Sequence, residues 1–498
     1  MSQLALQKLP EVSRPETIAG QYIGGVWQMG NQGEVIEDRN PYNGELLCAV
    51  IGANKSDVDR AYEAAAQAQP GWAAMLPGQR SEILGRAVAA WEKRHEEIAD
   101  WLVREAGSTR QKAEVEWAAT RAVMQQAVSF PYRVEGKIMP CDSAGTESRV
   151  YRQPIGVVAV VSPWNFPTIL SMRSVAPALA VGNAVVLKPS AETLMTGGIL
   201  CAQVYEEAGL PPGVLNLVVG SSREIGDAFV LHPGAGFVSF TGSTAVGRHI
   251  GALCSTGPLI KNMALELGGS SPLVVLDDAD LEQAVGATVL GRFMHQGQVC
   301  MATNRVIVDA KVYDKFLELL LPRIKALKRG DPAEPDTVIG PVVNEKQLDT
   351  LLEQIRIARA DGARELLGGQ PEGLVLPPHV FADVTPLMRI AQQETFGPIL
   401  TVFKVHDDEE ALHVANATEY GLSSSVFTRD ERRGLEFAMR LHTGMTHIND
   451  MTIDDHPNTA WGGEKNSGIG RFNGEWAIEK FTRDHWITVQ HKPKQYPF

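Results

Sequence analysis

Between residues 55 and 130 apolar positions recur every three to four residues. In KSDVDRAYEAAAQAQPGWAAM and SEILGRAVAAWEKRHEEIADWLVREAG charges fill the gaps, and this spacing predicts amphipathic helices. Ser81, with Ile83 and Leu84 behind it, marks an expected helix start. Near 131–153 the period shortens to two, and YRVEGKIMP and SRVYRQP read as exposed strands. From Ile155 the β-branched runs GVVAVVS, AVVLKPS, VLNLVVG and FVSFTGS each end in Gly, Ser, Pro or Lys, with helical stretches between them. That alternation predicts a parallel sheet with crossover helices. A ligand of such a sheet binds at the strand C-terminal ends, where SPWNFP, KPS, VVGSS and FTGSTAVG fall. PLVVLDD, NRVIVD, PILTVFKV, SSSVFT and GMTHIND form a second strand series, with the amphipathic helices YDKFLELLLPRIKALKRG and EKQLDTLLEQIRIARADG, over roughly 266–470. KFTRDHWITVQHKP reads as one more exposed strand.

Length and composition add bounds. For 498 residues, surface scaling gives roughly 18,000 Å² folded against roughly 78,000 Å² unfolded, enough for two to four domains without staples. The 44% hydrophobic and 21% charged residues argue against disorder. With 46 basic and 59 acidic residues the net charge is −13, which speaks against a general nucleic-acid-binding surface. Cys48, Cys141, Cys201, Cys254 and Cys300 show no zinc-ligand spacing and suggest no disulfide framework, so a reducing compartment is expected and no metal site. The N-terminal MSQLALQKLPEVSRPETIAG lacks the pattern of a signal peptide. The apolar region Ile155 to Leu187 is interrupted by Pro163, Asn165, Pro167, Arg173, Pro177 and Asn183, so no transmembrane span is expected.

Several positions carry candidate chemistry. Cys300 in HQGQVCMATNR sits in a Gly-containing turn ahead of a strand. It is either a stabilised thiolate or one more small buried hydrophobe. Glu266 in ALELGGSSP is either a buried base with a raised pKa or a carboxylate closing an element end. Asn165, held between Pro163 and Pro167, is a rigid amide suited to an oxyanion, or simply a turn cap. Gly242 and Ser243 open a helix after a strand, an arrangement that suits phosphate. Lys188 ends a strand where a ribose or phosphate binds. His295, five residues before Cys300, is a weaker candidate for a Cys–His pair.

In order along the chain, PWNFP (163–167), LKPS (187–190), FTGSTAVG (240–247), LELGG (265–269), GQVC (297–300), ETFGP (394–398) and the GG.K.SG.GR pattern (462–471) resemble the aldehyde dehydrogenase superfamily over nearly the whole chain. MRSVAPALA, HQGQVCMA, TGMTHIND and the YPF terminus are similar to its benzaldehyde dehydrogenase branch. The resemblance implies an α/β fold of two Rossmann-like doubly wound domains plus a small β bridging element. Residues 1–132 and 154–265 would bind NAD(P), 266–470 would carry the nucleophile, and 133–153 with 471–498 would bridge subunits. It implies a cytoplasmic homodimer or homotetramer acting on a small aldehyde, with no nucleic-acid or membrane partner. Cys300 would be the nucleophile, Asn165 the oxyanion donor and Glu266 the base that hydrolyses a thioester. Ser162, Pro163, Trp164, Lys188, Ser190, Gly220, Thr241, Gly242, Ser243, Val246, Leu267, Gly268, Glu394 and Phe396 would surround the cofactor.

Some positions depart from the family pattern. Ala191 stands where many relatives carry a ribose-binding carboxylate, with Glu192 one residue on, so the cofactor is NAD with NADP left open. Phe472 and Ser174 replace a second acid and a lysine, which puts a proton relay through them in doubt. Arg173 matches a carboxylate-binding arginine of succinate semialdehyde dehydrogenases, but Met294 occupies the place of its usual second arginine. Phe166, Leu170, Met294, Met301 and Trp461 would form an apolar slot, which favours an aryl aldehyde over a semialdehyde or a broad substrate range. Glu266 argues against a CoA-acylating enzyme.

Overall fold

The computed structural model describes residues 17–498; the expectations about the N-terminal stretch before Thr17 lie outside the described residues. Two large sheets organise the chain. In the first, five parallel strands lie in the order Leu215–Leu217, Ala184–Lys188, Val157–Val161, Phe237–Thr241, Asn262–Glu266. Numbered along the chain this is 3-2-1-4-5, a doubly wound order whose direction reverses between Val157–Val161 and Phe237–Thr241. Their β-branched runs are buried along almost their whole length, because helices cover both faces. The antiparallel strands Gln21–Ile23 and Val26–Gln28 close one edge.

In the second sheet six strands run parallel, in the order His379–Ala382, Ile399–Val405, Thr303–Asp309, Ser271–Val275, Ser423–Phe427, Met445–Ile448, with Arg364–Leu367 antiparallel at the edge. The polypeptide does not leave the first sheet cleanly at Glu266. Gly468–Ile469 returns to pair antiparallel with Leu265–Glu266, so the segment expected to close the second unit at 470 is an edge strand of the first. Backbone hydrogen bonding decides this: the strand that carries Glu266 would otherwise present an open edge.

The helical region contains four helices, Lys55–Ala74, Pro77–Lys93, His95–Ala106 and Arg110–Ala127. Ser81 is not a start. The helix begins at Pro77, whose fixed φ suits the first turn, and the Ser81 hydroxyl donates to the Val128 carbonyl at 2.8 Å. The alternating segments pair as Lys137–Met139, Thr146–Pro154 and Thr482–Gln490 in a separate antiparallel sheet. Among the described residues no helix is long and apolar enough to cross a membrane.

Asn183 ties the last helix to the first sheet. Its side chain accepts from Gly156 N–H at 3.0 Å and donates to the carbonyls of Ala178 and Phe481 at 3.0 and 2.8 Å, the last two in the interior. Truncation would strand buried polar groups, each costing about 1–3 kcal/mol. Asn183→Ala is expected to lower the urea midpoint with the m-value unchanged. An unmoved midpoint would show that the tie adds nothing.

Candidate active site

At the reversal point of the first sheet a cleft of about 300 Å³ opens between the two sheets. Pro163, Trp164 and Asn165 reach it from the end of Val157–Val161, and Thr241, Gly242 and Ser243 from the end of Phe237–Thr241. Glu266, Leu267 and Gly268 follow the next strand; Cys300, Glu394 and Phe396 approach from the second sheet. Ser243 caps the helix Thr244–Thr256, so free N–H groups of its first turn lie beside the cleft.

Three successive residues, His295, Gln296 and Gly297, hold left-handed φ values of 51°, 56° and 77° just before Cys300. Only a surrounding network keeps two non-glycine residues there. The Gln296 amide donates to the carbonyls of Gly107 and Pro341, and Gln298 Oε1 accepts from Val343 N–H. The buried Arg292 guanidinium donates to the carbonyls of Gly297, Thr395 and Gly397 at 2.8, 2.9 and 2.5 Å, and to the Asn304 amide oxygen. Asn304 Nδ2 in turn donates to the Gly269 carbonyl at 3.1 Å. The loops of Cys300, Glu394 and Gly269 are therefore fixed relative to one another.

Asn165 is buried, and its Nδ2 donates to the Gln298 carbonyl at 3.0 Å, which places the amide beside the Cys300 loop. Lys112 sets its position from behind. The buried ammonium donates to the Asn165 carbonyl at 2.8 Å, to Ser108 Oγ at 2.9 Å and to Glu116. Glu116 accepts from the Thr168 amide and hydroxyl at 2.8 and 2.9 Å, fixing the start of helix Pro167–Ala180.

Desolvation dominates the electrostatics of the cleft's ionisable groups. Burial, with Glu394 and Glu266 adding to it, pushes the Cys300 thiol up to about 12, and Arg173 opposes. Glu266 is buried with no hydrogen-bond partner on either oxygen, and desolvation raises its carboxyl well above the usual range against the pull of Arg173, Lys480 and Arg471. Desolvation also raises Glu394 to about 7, while the Gly269 N–H, donating to it at 2.9 Å, pulls the other way.

The residues fit a dinucleotide. Lys188 is buried at its strand end with a single long contact, 3.4 Å to Ser222 Oγ, which leaves donor capacity for a ribose. Burial holds its ammonium down to about 8. Gly268 lies so close to Glu394 that a Cβ would sit 2.6 Å from its carboxylate, so the backbone is bare where a ligand passes.

The model of the aldehyde dehydrogenase family matches residues 27–487. The chain belongs to the aldehyde dehydrogenase family. It is 49% identical over 468 residues to a vanillin dehydrogenase of Corynebacterium glutamicum, covering 94% of this chain and 97% of that one. It is 48% identical over 483 residues to the benzaldehyde dehydrogenase YfmT of Bacillus subtilis, covering 97% and 99%. A solved NAD-dependent benzaldehyde dehydrogenase from Corynebacterium glutamicum superposes with a TM-score of 0.89 at 46% identity, covering 96% of this chain and 98% of that one. A salicylaldehyde dehydrogenase from Pseudomonas putida G7 complexed with salicylaldehyde does so with 0.93 at 36%, covering 96% and 99%.

In this aldehyde dehydrogenase the three catalytic candidates share one cleft with nine of the cofactor candidates: Pro163, Trp164, Thr241, Gly242, Ser243, Leu267, Gly268, Glu394 and Phe396. Ser162, Lys188, Ser190, Gly220 and Val246 do not line it. Ser162 accepts from Ser171 at 2.6 Å, Ser190 caps the turn Ala191–Thr193, and Gly220 packs against Ala53 and Ile225.

Of the six residues expected around the substrate, Leu170 lines this cleft. Met294 and His295 face a second cavity of about 250 Å³ beside Lys112 and Leu290. His295 packs edge-on against Phe166 and faces that second cavity, and burial, then Lys112, pushes it well below its usual pKa. Phe166 lies under the Lys112 ammonium at 4.2 Å. Trp461 is buried, donating to the Met301 sulfur at 3.4 Å. Arg173 is paired with Asp455 and stacked 3.8 Å over the Trp461 ring, because a buried guanidinium requires a counter-charge.

Sequence reading missed Lys112, Glu116, Arg292, Gln347 and Gln354. The last two line the cleft and donate to the carbonyls of Phe396 and Glu394 at 2.8 and 2.9 Å. Their seven-residue spacing on an amphipathic helix was the available signal.

With the thiol held this high, alkylation of the Cys300 peptide by iodoacetamide in the ligand-free protein should climb steadily from about pH 6 to about pH 9 without a plateau. A plateau near neutrality in the unmodified protein would contradict the desolvated thiol.

Proposed function

We propose that this aldehyde dehydrogenase oxidises an aromatic aldehyde to its carboxylic acid with NAD, through covalent intermediates on Cys300. The observation that carries the reading is one cleft holding the thiol, a buried amide donor, an unpartnered carboxylate and a bare-backbone nucleotide channel. Relatives at 43–49% identity named for benzaldehyde and vanillin support the aromatic substrate.

The Cys300 sulfur attacks the aldehyde carbon as its proton passes to water in the cleft. Asn165 Nδ2 and the Cys300 N–H receive the oxyanion; one such donor is worth about 10²–10³ in rate. Lys188 and Glu394 would hold the ribose groups of NAD, Ser243 and the first turn behind it the pyrophosphate, and Trp164 and Phe396, edge-to-face at 5.5 Å, would flank the channel. When bound, NAD supplies the two-electron oxidant that turns the thiohemiacetal into a thioester. Glu266, with both oxygens free of partners, then takes a proton from water, which attacks the thioester carbonyl, and the acid leaves as the thiol is restored. Its raised pKa places deacylation on a rising limb with pH.

Arg173 favours an aryl aldehyde over a semialdehyde. Asp455 already neutralises it, so a substrate carboxylate would have to displace an internal partner. The bridging sheet exposes Ile138, Met139, Trp486 and Ile487, which fits burial against a second copy in a homodimer or homotetramer. A reducing, cytoplasmic setting belongs to the same reading, because oxidation of Cys300 would remove the nucleophile.

Two measurements test this reading together. Cys300→Ala should abolish aldehyde oxidation while leaving NAD binding, followed by calorimetry, intact. The unmodified enzyme should show a kcat/KM for benzaldehyde at least about ten-fold above that for succinate semialdehyde, the worth of one lost charged contact. A preference for the semialdehyde would overturn the substrate assignment, and turnover by the alanine variant the nucleophile.

A further inference from the structure

Each proton that Glu266 takes from water must reach solvent before the next cycle, yet the carboxyl is buried and has no hydrogen-bonding neighbour. Phe472 has no proton to pass on, and the Ser174 hydroxyl is paired with Ser239 at 2.9 Å. The glycines of the last motif mark another way out. Gly462 and Gly470 hold φ values of 153° and 99°. A Cβ on Gly462 would lie 3.0 Å from Glu266 Oε1 and 2.6 Å from the Gly470 carbonyl, and one on Gly470 would collide with Lys480 Nζ. The carboxyl thus lies against Gly462, the ammonium against Gly470, and the Gly470 carbonyl lies between the two glycines.

Lys480, at the end of helix Gly474–Lys480, is half-buried with its ammonium 5.3 Å over the Phe472 ring. Among the described residues none accepts a hydrogen bond from it. It lines a polar cavity of about 450 Å³, shared with Asn262, Glu479, Thr482 and Arg483, at the opposite end of strand Asn262–Glu266 from the cleft.

We propose that Lys480 carries protons between Glu266 and the solvent of this rear cavity, so that deacylation discharges behind the sheet and not through the nucleotide cleft. The inference rests on the reading of Glu266 as the base. The ammonium gives a proton to cavity water; the amine so formed takes the proton of Glu266 past Gly470 through an intervening water; nothing is oxidised or reduced. Burial holds the ammonium below its usual range, with Glu266 opposing and Arg471 acting the same way as burial, so the proton is held less tightly than on a solvated lysine. Arg173, Arg471 and Asp455 are the other charges acting on Glu266.

The test compares the unmodified enzyme with Lys480→Met, Lys480→Gln and Lys480→Arg on benzaldehyde and NAD. At low buffer concentration, Met and Gln should lower kcat about ten-fold at neutral pH, less than the ~10²–10⁴ of a positioned base because Glu266 remains. KM for NAD should stay unchanged, acyl-enzyme should accumulate on Cys300, and added methylamine or concentrated imidazole buffer should restore the rate. Arg should behave like Met, since guanidinium does not release its proton. The proposal is overturned if the uncharged variants keep kcat within two-fold with an unshifted pH profile, or if they lose activity that neither amine nor buffer restores while their Tm is unchanged. An unmodified enzyme that fails to oxidise benzaldehyde would instead defeat the underlying functional reading.

Discussion

The buried guanidinium of Arg292 joins the loop that carries Cys300 to the loop that carries Glu394. Its donors meet carbonyls of Gly297, Thr395 and Gly397, and through Asn304 they reach Gly269 beside the nucleotide channel. The left-handed run at 295–297 is held by that guanidinium at Gly297 and by the Gln296 amide bonded to the carbonyls of Gly107 and Pro341. Burial alone draws the guanidinium down to about 9, so the arrangement bears a real desolvation cost, offset by the density of its hydrogen bonds. Lys112 does the corresponding work from the first sheet, fixing the peptide of Asn165. One buried cation on each side of the cleft thus sets where the sulfur and the amide meet.

The same dryness governs reactivity. Desolvation raises Cys300, Glu266 and Glu394 together, so each charged form costs more here than in water. Opposing charges are kept at the margin: Arg173 is tied to Asp455, while Lys480 and Arg471 stand behind the glycines of the last motif.

Much of this was legible in the sequence. The β-branched runs and the residues closing them located the first sheet and its ligand edge, because a parallel sheet leaves strand ends as its only open backbone. Asn165, Glu266, Cys300 and Glu394 stood out through motif context and do meet in one cleft. What stayed hidden depends on contacts across long stretches of chain. Lys112 and Glu116 look like any i, i+4 pair on a helix surface, yet they are buried against Asn165 and Thr168. Arg292 looks like the polar end of an apolar helix. Met294 suits an aromatic slot by composition yet lines the second cavity, and Trp461 is covered by the Arg173 guanidinium, contacts that composition does not announce. Gly468–Ile469 is too short to announce itself as a strand, and only its register against Leu265–Glu266 reveals it.

The central claim is that oxidation runs through a thioester on Cys300. Rapid-quench peptide mass spectrometry of the unmodified enzyme during turnover of benzaldehyde with NAD addresses it directly. The account predicts a benzoyl adduct confined to the peptide containing Cys300, rising and decaying with the burst of NADH. NADH formed with no adduct, or with an adduct on Cys48, Cys141, Cys201 or Cys254, would contradict it.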